Sequence, residues 1–169
     1  MAVVAHGGAG SGPARQTNLQ VAVDVASKLL LSGASAVEAA VEACVILEDD
    51  PVFNAGTGGV FRIDGSVLLD ASIQTSDGSL GFVIAMKETP NPIRVAADLL
   101  DHNINGLTGD GARSWADDKG HLRRQVDGRP PTEGDGDTVG IIVRDSSGFM
   151  ACATSCLLYT SDAADETGR

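Results

Sequence analysis

Thr138 is where this sequence offers chemistry. It lies in Gly136-Asp137-Thr138-Val139-Gly140, which ends a long stretch rich in glycine, proline and charge and begins an apolar run, Val139 to Val143. A small hydroxyl residue at a loop-to-strand boundary suits self-cleavage. Cutting the Asp137–Thr138 bond would give one residue both a hydroxyl nucleophile and a free α-amine. Such an amine has a pKa of about 7.7–8.0, so it can accept the hydroxyl proton near neutral pH without a His or Lys partner. A Thr at a strand start is equally a β-branched residue that packs well. The assignment therefore leans on the rest of the chain.

Three blocks precede this site in order: His6-Gly7-Gly8-Ala9-Gly10, then Pro51-Val52-Phe53-Asn54-Ala55-Gly56-Thr57-Gly58, then Leu69-Asp70-Ala71-Ser72-Ile73. Together with Asp137-Thr138-Val139-Gly140 they strongly resemble the plant-type asparaginase/isoaspartyl aminopeptidase family of N-terminal nucleophile hydrolases. The resemblance implies a threonine amidohydrolase that activates itself by cleavage between Asp137 and Thr138. Its substrates would be L-asparagine, β-aspartyl (isoaspartyl) dipeptides, or both. The catalytic nucleophile it implies is Thr138, supported by Asn54, Gly7 and Gly8. No cofactor is implied beyond a structural sodium ion, held mainly by backbone carbonyls in the loop of Leu47, Glu48, Asp50, Phe53, Ala55 and Thr57. The implied fold is α+β, an incomplete four-layer αββα sandwich with two central antiparallel sheets. The implied full-length partner state is a dimer of cleaved α/β heterodimers. Two other readings stay open: a non-enzymatic remnant scaffold of the same fold, and a glycosylasparaginase-like amidase. The HGGAG and FNAG blocks speak against the second.

The same resemblance divides the chain. Residues 1–137 correspond to a large subunit that includes a mobile linker at 103–137, and residues 138–155 to the start of a small subunit. Residues 156–169 break the pattern. The run Cys156-Leu157-Leu158-Tyr159-Thr160-Ser161, with the residues C-terminal to it, resembles the conceptual translation of a transposase-type sequencing adapter, so a non-native tail is expected there. Cys156 stands where the family has a second active-site threonine. The family's substrate-clamping arginine and aspartate, and its Thr-Gly oxyanion pair, have no matching positions. Little or no hydrolysis is therefore expected from this chain.

Bulk properties agree with one ordinary globular domain. The 169 residues are 43% hydrophobic, enough for one packed core. A net charge of −11 argues against nucleic acid or an anionic membrane as partner. No apolar run is long enough to span a bilayer, no secretory signal pattern opens the chain, and a cytoplasmic location is expected. Cys44, Cys152 and Cys156 form no paired framework, which fits a reducing compartment. His102 and His121 lack partners at zinc-ligand spacing. His6 reads as structural, its glycines allowing a tight turn. Asp70, flanked by apolar residues, reads as buried and hydrogen-bonded.

The elements that must position Thr138 are legible from periodicity. Val3–Ala5 predicts a strand. Leu19, Ala22, Val23, Ala26, Leu29 and Leu30 predict a helix from Asn18 to Ser32, closed by Gly33. Ser35 and Glu38 form a capping-box pair for a second helix reaching Leu47. Val60–Ile63 and Val67–Ala71 predict a hairpin about Asp64-Gly65. A strand at Leu80–Met86 precedes a helix to Leu100, with Asn91 as its cap and Pro92 in the first turn. A short helix is expected within Gly111–Asp117. Val139–Val143 and Phe149–Thr154 form a last hairpin.

Overall fold

The computed structural model describes residues 1–8, 12–62, 64–130 and 138–157. Asp137, Ile63, the Ala9 and Gly10 of the first motif, the last part of the linker and the tail from residue 158 lie outside the described residues. The architecture is α+β. One mixed sheet runs in the order β1-β5-β6-β2-β3-β4, made of β1 (Ala2–His6), β2 (Leu69–Thr75), β3 (Leu80–Met86), β4 (Gly106–Thr108), β5 (Val139–Arg144) and β6 (Met150–Leu157). Its neighbours pair antiparallel except β3 with β4. The two hairpin strands around Thr138 are thus central, flanked by β1 on one side and β2 on the other.

Helices α1 (Gln16–Leu31), α2 (Ala36–Asp49) and α3 (Pro92–Asp98) cover one face. A fourth, α4 (Gly109–Asp118), packs beside β3 and β4. Strand residues alternate, and Ala71, Ile73, Val83, Ile141, Val143, Ala151 and Ala153 enter the core. They meet Ala39, Ala40, Ala43 and Cys44 of α2. These small side chains let α2 approach the sheet closely, which brings its C-terminus under β6. No helix among the described residues is long and apolar enough to cross a membrane.

Local signals hold where they are local. α1 ends with Gly33 N–H donating to Leu30 O at 3.1 Å and Ala34 N–H to Leu29 O at 3.0 Å, the paired bonds of a Schellman cap. At α2 the Ser35 Oγ accepts from Glu38 N at 3.1 Å while Glu38 Oε2 accepts from Ser35 N at 2.9 Å. Both halves of the expected capping box are present.

Two expectations need correction. Among the described residues the ladder expected between Val60–Ile63 and Val67–Ala71 does not form, although Arg62 N–H donates to Ser66 O at 2.8 Å across the turn. The Asp64-Gly65 turn is there, with Asp64 Oδ1 accepting from Ser66 N at 3.0 Å, but β2 starts only at Leu69. Val60 instead bridges in parallel to Arg129; Arg129 takes up the backbone of Gly59 and Phe61 on either side. Val60, Leu69 and Val126 bury one another in a small separate cluster, and this packing outweighs the short turn. Asn91 makes no side-chain cap on α3. Its Nδ2 donates to Asp49 Oδ1 at 2.9 Å, and the Glu48 carboxyl takes the capping position, accepting from Ile93 N at 3.1 Å.

The linker stretch carries structure as far as residue 130. It holds β4 and α4, after which Arg124 N–H donates to Glu88 O at 2.9 Å. Arg113, buried in α4, reaches Thr89 Oγ1 at 2.6 Å, Asp117 Oδ1 at 2.9 Å and His121 O at 3.3 Å. That guanidinium ties the loop after β3 to the segment leaving α4.

Candidate active site

Thr138 is exposed and stands immediately before β5, whose first residue Val139 is fully buried. Alternation therefore turns the Thr138 side chain away from the helices, onto the open face of the sheet. Cross-strand register decides what surrounds it. Val139 pairs with Ser155 and Ser155 with Ala71, so one position further along lies the row Thr138, Cys156, Asp70. The next row inward is His6, Gly140, Thr154, Ser72. In it the Ser72 and Thr154 hydroxyls hydrogen-bond at 2.7 Å.

Gly7 and Gly8 leave β1 at this same end, since His6 pairs with Gly140. Gly8 has φ 94° and its N–H donates to His6 Nδ1 at 3.3 Å. The His6 ring lies across Gly140, so that a Cβ built there would collide with His6 Nε2. The glycine pair thus turns the chain beside the nucleophile, and the imidazole edge lies against Gly140 of β5.

Cys156 links the row electrostatically. Burial, then the nearby Asp70 charge, push its thiol pKa up, while the Thr138 side chain draws it down by hydrogen bonding. Asp70 is half-buried. Burial raises its pKa, against the opposing hydrogen bond from Ala85 N at 2.7 Å.

The remaining expected residues gather on the opposite side of β6. Asn54 is buried and its Oδ1 accepts from Val60 N at 3.1 Å, closing the loop from 54 to 60. Leu47, Phe53 and Ala55 are fully buried, and Asp50 and Thr57 are partly exposed. Asp50 Oδ2 accepts from Asn18 Nδ2 at 2.7 Å and its Oδ1 from Val52 N at 3.0 Å.

Glu48 is the surprise of this group. Its carboxyl is fully buried, and Oε1 accepts from Ile93 N at 3.1 Å, so α2 supplies the cap of α3. Burial pushes its pKa up to about 8. The hydrogen bond from Ile93 N pulls the other way, as do the nearby Ser155 and Asn91 side chains. Ser155 approaches from β6, yet neither its Oγ nor Glu48 Oε2 completes a hydrogen bond. An acidic residue at a helix C-terminus is electrostatically unfavourable when ionised. Here burial favours the neutral form, and the side chain serves the next helix instead. The signal in the sequence was this unfavourable position itself.

Carbonyl oxygens crowd this loop. A Cβ at Gly56 would come within 2.5 Å of Glu48 O and 2.6 Å of Pro90 O, and one at Gly58 would strike Phe53 O. Asp50 O and Ala55 O accept the N–H groups of Phe53 at 3.2 Å and Gly58 at 3.0 Å. Neutral oxygen donors of this type suit a hard cation. Among the described residues no group of three His, Cys, Asp or Glu side chains could hold a metal ion.

A family model described as Asparaginase matches residues 1–128. The isoaspartyl peptidase/L-asparaginase of Mus musculus is 32% identical over 183 residues, covering 92% of this chain and 56% of that protein. The protein of the same name from Nostoc sp. is 44% identical over 105 residues, or 56% of this chain and 32% of that one. The plant-type L-asparaginase of Pyrococcus horikoshii is 39% identical over 126 residues, 69% of this chain and 40% of that protein. The chain spans about half the length of the curated relatives it matches.

Proposed function

Since the chain belongs to the asparaginase family, we propose that it supplies the nucleophile-bearing part of a self-activating threonine amidohydrolase for L-asparagine, β-aspartyl dipeptides, or both. The observation that carries this reading is the placement of Thr138. It is exposed on the open sheet face, at the end where Gly7 and Gly8 turn the chain away from β1.

In maturation the Thr138 hydroxyl attacks the carbonyl carbon of Asp137. The C–N bond breaks, the nitrogen takes the hydroxyl proton, and an ester joins the two halves. Water then hydrolyses the ester, leaving a carboxyl on Asp137 and a free α-amine on Thr138. In turnover that amine accepts the hydroxyl proton as Oγ1 attacks the substrate's side-chain amide. Ammonia or an amino acid leaves with a proton, an acyl-enzyme remains, and water releases aspartate. Hydrogen-bond donors around the developing oxyanion typically contribute about 2.7–4 kcal/mol each.

The same reading assigns a sodium ion to the carbonyls of Leu47, Glu48, Asp50, Phe53, Ala55 and Thr57. It would stiffen the loop carrying Asn54 and take no part in bond breaking. The open sheet face, with Val4, Ile142 and Met150 exposed by 61%, 41% and 41%, would receive the second sheet of a four-layer sandwich. Two cleaved heterodimers would then pair, in the cytoplasm.

Intact-mass measurement of the purified 169-residue chain tests the central step. The reading expects two fragments divided at Asp137/Thr138, and a single unbroken mass for Thr138→Ala. A chain that remains whole under all conditions in which it is folded would refute it.

A further inference from the structure

Asp70 is held with unusual care. The β2–β3 pairing shifts register between Leu69 and Ala71, so Ile84 and Ala85 together face Asp70. This is a β-bulge, a feature enriched beside active sites. Ala85 adopts φ 56°, a left-handed conformation that costs a non-glycine residue energy. The return on that distortion is one hydrogen bond: Ala85 N–H turns out of the ladder and donates to Asp70 Oδ1 at 2.7 Å. The carboxyl is thereby fixed on the open face, in register with Cys156 and, one strand further, with Thr138.

We propose that Asp70 is a positioning residue for the Thr138 nucleophile, its bulge-anchored carboxylate acting across β6 through the side chain at position 156. Neighbouring strands lie about 4.8 Å apart. Two such spacings put Asp70 out of direct contact with Thr138, and the residue at 156 fills the gap between them. Beyond the effect of burial, the Asp70 charge pushes its thiol pKa up and hydrogen bonding with Thr138 draws it down. Negative charge at one end of this row orients the intervening X–H group toward Asp70, which leaves its lone pairs facing the Thr138 hydroxyl. It also favours the ammonium that forms when the Thr138 amine takes up a proton. This inference rests on the role of Thr138 proposed above and adds to it a residue that a purely structural reading would leave as a bulge anchor.

The two roles separate in Asp70→Asn, which keeps the Oδ1 acceptor for Ala85 N–H and removes the charge. We expect the unfolding midpoint to hold while cleavage at Asp137/Thr138 slows at least tenfold; Asp70→Ala, the structural reference, loses both. An Asp70→Asn chain that cleaves at the wild-type rate overturns the proposal. A wild-type chain that never cleaves refutes the role of Thr138, and a second measurement then decides the inference separately. Alkylation of Cys156 by iodoacetamide, referenced to Cys152 on the same strand and monitored by peptide mass, should quicken several-fold in folded Asp70→Asn. An unchanged ratio overturns the coupling across the row.

Discussion

The His6 imidazole lies over the α-carbon of Gly140, its Nδ1 accepting the Gly8 N–H and its Nε2 edge filling the space a side chain would occupy on β5. This contact joins the first motif of the chain to the nucleophile strand, two residues past Thr138. It explains why a glycine interrupts the apolar run Val139 to Val143. Only the absence of a Cβ lets β1 and β5 stay paired with the ring between them.

Replacing Gly140 with Ala should therefore force the ring aside. A loss of about 1–3 kcal/mol is expected, typical of overpacking, measured as a shift in the urea unfolding midpoint. His6→Ala creates the missing space. The double variant His6→Ala/Gly140→Ala should regain most of the loss, giving a coupling well above the ~0.5 kcal/mol expected of independent sites. Additive effects would show that the ring does not occupy this position in solution.

Glu48 predicts an uncommon pH dependence. Its folded pKa is raised from 4.5 to about 8. The unfolded chain therefore loses the Glu48 proton first as pH rises, and the folded state binds more protons in this window. Stability should fall between pH 4.5 and about 8 and then level off. A shift of this size amounts to a few kcal/mol, on the order of 1.4 per pH unit. Glu48→Gln keeps an acceptor for Ile93 N–H and cannot ionise, so its unfolding midpoint should be flatter across the window. Asp64, Asp77 and Asp145 behave oppositely: hydrogen bonds from Ser66, Thr75 and Ser147 lower their pKa values. Their contributions are present above the unfolded carboxylate pKa and lost in acid, below the Glu48 window. A wild-type midpoint that is level from pH 5 to 8.5 would contradict the buried, protonated Glu48.

The α2 capping box can be tested alone. Ser35→Ala removes the acceptor for Glu38 N–H and leaves one donor of the first turn unpaired. About 1 kcal/mol of stability should disappear, read by thermal unfolding followed by circular dichroism. Ser35→Asp, another good cap, should retain most of it.

The carbonyl-lined loop predicts a cation effect. Exchanging sodium chloride for choline chloride at equal ionic strength should lower the unfolding midpoint, because an ion that binds only the folded state stabilises it by mass action. Gly58→Ala, which drives a Cβ into Phe53 O, should abolish the difference along with part of the stability. Identical midpoints in the two salts for the wild-type chain would remove the ion from the proposal.

What the sequence determined by itself was local or motif-bound. Helix caps, apolar periodicity and the loop-to-strand position of Thr138 depend on residues within a turn or two of one another, and their physics is complete at that range. The ordered blocks around His6, Asn54, Asp70 and Thr138 also named the family. Tertiary structure decided what no short-range rule could contain. Glu48 caps a helix 45 residues away, and the Ser72–Thr154 hydroxyl pair spans 82 residues. Val60 abandoned a well-formed turn for Arg129, because burial beside Val126 and Leu69 is worth more than a two-stranded ribbon exposed to water. The row from Asp70 to Thr138 exists only because β6 lies between β2 and β5 in this register. Strand order and register are set by the packing of whole faces, so the sequence could supply the chemistry of each residue but not the neighbour it would act upon.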